Sequence, residues 1–537
     1  MTRLIKKFVV ITRLLPAVIA ASVLLAATAY AAAPGVQGKT FSMSASASYT
    51  TQPDGSMIYS WGYSCDTGGT AVPFAPLTGS ACGGVMQIPG PTLIVNEGDT
   101  VNITLTNSLP GPAGTTSILF PGFTVSSSGG VAGLLTQEAA PGGTVAYSFP
   151  TAGKAGTHSY YSGTRGDVQI EMGLFGTIIV VPTTAPAGCR TVTTSLPDGQ
   201  RDYRLAAAAY DSSATCYDRE YLFQFSEIDP KIHQQAEEQV AAIASCNASA
   251  TSTGAICPTT LDISTEPYHP SYYLINGRSM PDDMDPNYAP QYPHQPYNGN
   301  PHMHPGELVL LRIVGQGRWQ HPFHEHGNHV RILGRDGNLL LSAMDNGNKT
   351  ELAGPLLFTT STTPGQAMDG IYYWTGKGLN WDVYGHQPNE FLADGVTPNP
   401  AYAPCVPDLS GYYTSDPTAP NYYEWCADHT KPLEVHPFGD VGSGGPVTLP
   451  DSNILTNGPW YGGSPYLGAD ATTRAVGTTG TTPPSGTVAN SPSGEAGFAF
   501  MWHSHNEREI TTGNVFPGGM LMMMLVDAQS FTIDETQ

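Results

Sequence analysis

Four of the chain's 15 histidines fall within nine residues, His321, His324, His326 and His329, and a second group, His503 and His505, follows near the C-terminus. Imidazole nitrogen binds copper, zinc and other transition ions, so two His-x-His pairs are first of all a candidate metal centre. On a strand, residues two apart project from one face. His324 and His326 then point together, as do His503 and His505, while His321 falls on the opposite face or in a flanking turn. Two such strands side by side would gather four imidazoles around one ion. Glu507 and Glu509, just beyond the second pair, add carboxylates that can complete a coordination sphere or move protons. The competing reading is that hydrogen bonds alone hold these histidines at the end of a sandwich. His321 taken by itself reads as structural.

The elements that must position these residues are strands. The run 306–314, Gly-Glu-Leu-Val-Leu-Leu-Arg-Ile-Val, reads as a buried strand leading to His321, and 496–502 and 519–526 read as the strands around His503. Between them, about 375–495, lies a stretch rich in Gly, Pro, Thr, Ser and Asn with little apolar periodicity. It is expected to be a loop-rich insertion, or alternatively a third, degenerate sandwich. In the first half, 88–109 alternates apolar and polar residues around Glu97-Gly98-Asp99, which predicts a hairpin. Asp229 before Pro230 caps a predicted helix over 230–243. The expected organisation is one β-sandwich over 36–183, a linker over 184–216, and a second sandwich over 217–530 that contains the insertion.

Composition agrees with an all-β chain. At 537 residues it is too long for one core, and charged residues are only 12% while Gly 61 and Pro 46 punctuate Val, Thr, Ile and Tyr runs. A net charge of −22 excludes nucleic acid and anionic membrane surfaces as partners, since both need a basic footprint. Arg3, Lys6, Lys7 and Arg13 precede an apolar run, Leu14 to Ala29, and then small residues, the order of a cleaved signal peptide over 1–31. Export to the periplasm, the cell surface or the medium is expected, with no membrane span after cleavage. The eight cysteines fall in couples, Cys65 with Cys82, Cys189 with Cys216, Cys246 with Cys257 and Cys405 with Cys426, which in an exported chain reads as disulfides.

Taken together, these segments resemble the multicopper oxidases, a family of tandem cupredoxin β-sandwiches. Ile88 to Leu109 looks like the family's first-domain opening, and 217–229 with 274–281 looks like a later domain. His321-Pro-Phe-His324-Glu-His326-Gly resembles the HPxHxHG motif, and His503-Ser-His505 the HCH motif. The resemblance implies two cupredoxin-like Greek-key sandwiches with copper as cofactor, zinc or another transition metal remaining open. It also implies roles: His321 as a type 1 copper ligand, and His324, His326, His503 and His505 as ligands of a copper cluster.

The same comparison exposes departures. Ser504 stands where the family has its type 1 cysteine, and Glu509 where it has the second type 1 histidine. Met520 matches the axial methionine. A hydroxyl is a hard donor that cannot replace a soft thiolate on blue copper. Leu119 and Pro121 stand at one pair of first-domain histidine positions, Tyr161 and Gly163 at the other. The expectation is therefore a reduced copper set lacking type 1 copper, in an oxidoreductase served by an unknown electron donor or by a small-molecule or metal substrate. The alternative is a non-catalytic cupredoxin-like protein that binds metal or a partner outside the cell. Two-domain relatives complete copper sites across subunit interfaces, so the resemblance admits a homotrimer.

Overall fold

The computed structural model describes residues 33–66, 72–73, 84–191, 202, 204–377, 396–398, 408–411, 463–467, 496–527, 529 and 531–533. The expected signal peptide, most of the insertion, and Cys82, Cys405 and Cys426 lie outside the described residues.

Two β-sandwiches make up the fold, as the composition and patterning expected. In the first, one sheet runs Gly156–Tyr161, Phe175–Val181, Leu93–Asn96, Val36–Gln37, Val72–Pro73, and the other runs Met57–Cys65, Thr40–Thr51, Thr100–Asn107, Thr144–Pro150, Ser126–Gly129. Strand Thr100–Asn107 buries alternate residues, so Val101, Ile103 and Leu105 enter the core with Trp61, Tyr147 and Phe149. The predicted hairpin over 88–109 does not form. Leu93–Asn96 belongs to one sheet and Thr100–Asn107 to the other, so the Glu97-Gly98-Asp99 turn is a corner between sheets. The physical reason is burial: Leu93, Ile94 and Val95 are all inside, whereas a hairpin strand with one wet face would alternate.

The second sandwich joins a seven-stranded sheet to a six-stranded one. Tyr272–Ile275, Arg219–Ile228, Leu308–Gly315, Ala367–Tyr373, Val330–Arg335 and Asn338–Leu339 run in that order in the first, with Leu356–Leu357 paired to Val330–Arg335. The second sheet runs His302–Met303, Leu521–Asp527, Ala496–Ser504, His321–Glu325, Thr359–Thr362, with Gly463–Leu467 also paired to Ala496–Ser504. Their facing sides form one core containing Phe223, Phe225, Phe323, Trp502, Met522 and Met524. The helix expected after Asp229 spans Pro230–Thr253, with Asp229 accepting from the Lys231 N–H at its start. Its residues Ile232, Ala236 and Ile243 pack into the core of the first sandwich.

The sandwiches meet back to back. Ile94, Ile179 and Val181, on the outer face of a first-sandwich sheet, pack against Leu222, Val314 and Ala367 on the outer face of the seven-stranded sheet. Polar groups lock the same interface. Asp369 accepts from Thr157 Oγ1 (2.6 Å), Thr157 N (3.0 Å) and Tyr210 OH (2.7 Å), and Arg312 Nη1 donates to Thr157 Oγ1 (3.1 Å). Cys189–Cys216 and Cys246–Cys257 form the disulfides read from their spacing, and Cys65 is also disulfide-bonded.

Candidate metal centre

The six-stranded sheet sets His324 directly opposite His503 on neighbouring antiparallel strands, with Phe323 opposite Ser504 and Glu325 opposite Trp502. Phe323 and Trp502 turn inward onto Phe223, and that fixes the register. Alternation then sends the histidines to the outer face. Rings of His324 and His326 are 4.8 Å apart, those of His324 and His503 5.5 Å, and those of His326 and His503 5.2 Å. One donor atom from each of these three residues lies within 4.8 Å of the other two.

The donor chemistry fits a borderline transition ion. His503 Nε2 and His326 Nε2 are 3.3 Å apart. In a tetrahedral complex with metal–nitrogen bonds of about 2.0–2.1 Å, ligand nitrogens are separated by about 3.3–3.4 Å. The other ring nitrogens are engaged: His324 Nδ1 with Thr359 Oγ1 at 2.8 Å and His503 Nδ1 with the Ser504 carbonyl at 2.8 Å. Such contacts fix the rotamer that aims Nε2 at an ion. Burial and the surrounding imidazoles push His324 down to about 4, so it is neutral, as a ligand must be. His505 is exposed and donates its backbone N–H to Pro322 O (2.7 Å); its ring lies 4.8 Å from that of His324, alongside the three. His329 packs on Phe358 (5.0 Å) instead.

On the inner face the arrangement is different. His321 is fully buried between two carboxylates, with Nε2 3.0 Å from Glu227 Oε2 and Nδ1 2.9 Å from Glu509 Oε2. The second contact is an ion pair off the line of a hydrogen bond. Burial opposes a charge on this ring, but the two carboxylates outweigh it and push His321 up to about 9. Ser504 donates to Glu509 Oε2 (2.5 Å) and Asn506 to Glu509 Oε1 (2.9 Å). So the positions that the resemblance assigns to type 1 copper, His321, Ser504 and Glu509, touch one another and are occupied by an imidazole, a hydroxyl and a carboxylate. Met520 is buried in the adjoining core, and Glu507 is exposed.

The structure therefore brings His324, His326, His503 and His505 together on one face and turns His321 and Glu509 to the other. The sequence reading missed Thr359, which orients His324, and Glu227, which holds His321. Both lie on other strands, and no local spacing points to them. Leu119, Pro121, Tyr161 and Gly163 belong to the first sandwich. Leu119 pairs with Tyr161, and Tyr161 lies against Gly365, where a Cβ would come within 3.2 Å of its ring. The first sandwich covers the seven-stranded sheet, and the histidines face outward from the six-stranded one.

Residues 77–185 match a family model described as multicopper oxidase. The matched residues lie in the sandwich that carries Leu119, Pro121, Tyr161 and Gly163. Among solved structures the chain is similar to the multicopper oxidase mgLAC at 14% identity over 92% of this chain and 88% of that one, TM-score 0.41. It is similar to a blue copper oxidase from Nitrosomonas europaea at 15% identity, over 91% and 85%, TM-score 0.42. A copper nitrite reductase from Nitrosomonas europaea shares 16% identity over 63% and 84%, TM-score 0.34. No curated protein sequence matches the chain.

Proposed function

We propose that this is an exported copper protein of the multicopper oxidase type with a reduced copper set, an oxidoreductase whose one centre is held by His324, His326 and His503, with His505 beside them. The observation that carries the reading is the 3.3 Å separation of His326 Nε2 and His503 Nε2 within a group of three convergent imidazoles. When bound, copper would supply one-electron redox chemistry at the outer face of the six-stranded sheet. Without a thiolate at 504 there is no blue centre to collect electrons, so the reductant must reach the histidines directly. Exposed Phe358, whose ring is 5.7 Å from that of His324, gives a small aromatic reductant an apolar wall beside them. Export rests on the leader-like N-terminus and the disulfides.

A second reading, a metal-binding protein without catalysis, is favoured by the His321–Glu509–Ser504 contacts, which fill the place of an electron-entry site. Metal analysis with paramagnetic resonance, followed by oxygen consumption on phenols, Mn²⁺, Fe²⁺ and cuprous ion, separates the two. About one copper per chain with turnover on any of these reductants is the expected result. Copper without turnover leaves the binding protein, absence of copper sinks the oxidoreductase, and an intense blue thiolate band sinks the reduced set.

A further inference from the structure

A run of buried titratable groups leads away from His321 and crosses into the first sandwich. Glu227, at the end of strand Arg219–Ile228, receives His321 on Oε2; on Oε1 it accepts the backbone N–H groups of Arg318 and Trp319, both at 2.8 Å. Gly317, at φ +66, lets this turn close over the carboxylate, since a Cβ there would stand 2.4 Å from Glu227 Oε2. Tyr268 comes next, its phenol oxygen 3.0 Å from Glu227 Oε1 and 2.7 Å from Glu171 Oε2. Glu171, in the first sandwich, is 2% exposed and accepts the Asp229 N–H on Oε1 (2.7 Å).

Proton counting makes this arrangement informative. One phenol oxygen with one proton stands between two carboxyl groups away from water. If both were ionised, one would face only the oxygen's lone pairs, an uncompensated buried charge. One carboxyl must therefore hold a proton and donate it to the phenol. Glu227 already has two backbone N–H groups and the His321 ring to satisfy a negative charge, while Glu171 has a single backbone N–H. The proton belongs on Glu171.

We propose that Glu171, Tyr268, Glu227 and His321 form a buried proton-holding chain between the two sandwiches, in which Glu171 is a neutral acid that can pass its proton through Tyr268 to Glu227. In that step the Glu171 O–H bond breaks as a proton goes to the phenol oxygen, and the Tyr268 O–H bond breaks as its proton goes to Glu227. Glu171 ends as carboxylate, Glu227 as acid and Tyr268 unchanged, with no change in total charge. The transfer would remove one of the two negative partners of His321, whose strand also carries His324. The chain thus links the first sandwich to the strand that holds the histidine group, whether or not that group binds metal.

The groups facing Glu171 agree. Burial first, then the Glu227 charge, pushes its carboxyl up to about 8 against the opposing Asp229 N–H, Tyr268 and Arg318. Arg318 stacks on Tyr268 with its guanidinium carbon 4.1 Å from the ring centroid. Burial, then the flanking carboxylates, raises Tyr268, so the phenol keeps its proton. His233, on the long helix, is pushed down to about 4 by burial, and its Nε2 is 3.7 Å from Glu171 Oε1, beyond hydrogen-bond reach; it donates no proton to the carboxyl.

Infrared difference spectra of the intact chain test this. The expected result at pH 7 is a carboxylic-acid band lost in Glu171→Gln, whose amide mimics the neutral acid; in the wild type it disappears as pH rises through about 8, and in Glu227→Gln, which removes the neighbouring charge, it disappears at lower pH. Tyr268→Phe keeps the ring and removes only the hydroxyl, and should shift the same band. A band that is unchanged in Glu171→Gln, that disappears at the same pH in Glu227→Gln as in the wild type, or that fails to move in Tyr268→Phe overturns the proposal.

Discussion

His321 Nδ1 and Glu509 Oε2 lie 2.9 Å apart in the interior of the second sandwich, with Ser504 donating to the same carboxylate oxygen at 2.5 Å. The ring is shared with Glu227, so His321→Phe leaves two buried carboxylates without their common partner, and breaking a buried pair in this way costs about 3–5 kcal/mol. Glu509→Gln, which leaves His321 paired with Glu227, is expected to cost less than His321→Phe in urea unfolding. Equal losses in the two variants would show that packing, not charge, dominates here.

The same ring sets a pH window. The folded pKa of His321 is about 9, above its ordinary value of 6.5, so the folded chain binds this proton more tightly than the unfolded chain. Its stabilising contribution is complete below pH 6.5 and is lost as pH rises through 9. Thermal unfolding of the wild type should therefore fall relative to His321→Phe across that interval and run parallel to it on either side. A wild type that instead gains on His321→Phe as pH rises from 6.5 to 9 would contradict a charged His321.

Copper binding should separate the two faces of the six-stranded sheet. His503→Ala is expected to abolish stoichiometric copper, and His321→Phe, three residues before His324 but on the inner face, to leave it unchanged. Thr359→Val removes the hydroxyl that orients His324 Nδ1 and should weaken copper affinity about 10–100-fold. Competition titration against a chelator measures all three. Copper lost in His321→Phe with the fold intact would place the centre on the wrong face.

Local pattern carried part of this architecture and not the rest. His-x-His spacing announces which residues share a face because strand alternation is a local rule, and His324 and His503 do meet across one register. Ser504 and Glu509 were visible as changed residues, but their contact with each other and with His321 depends on how the chain turns after 505. Glu227 and Glu171 look in sequence like ordinary acidic residues, and only tertiary packing reveals that they share Tyr268. The reading of 88–109 failed for a related reason: a turn says that the chain reverses, not which sheet receives it.

The last prediction concerns the joint between sandwiches. Asp369 accepts three hydrogen bonds from Thr157 and Tyr210, and Arg312 Nη1 stands 3.4 Å from its Oδ1. Asparagine keeps the shape but has one acceptor oxygen, and its amide would present N–H groups to the Thr157 N–H or the Tyr210 hydroxyl. Arg312 would also lose one of its two anionic partners in a fully buried site. Asp369→Asn should therefore cost about 3–5 kcal/mol, and Thr157→Val, which removes one hydroxyl donor, only about 1–3 kcal/mol. Because each sandwich has its own core, the loss should fall on their docking, and urea unfolding of Asp369→Asn should split into two transitions where the wild type has one. A single, uniformly shifted transition would mean that the apolar contacts of Ile94, Ile179, Leu222 and Val314 hold the sandwiches together without Asp369.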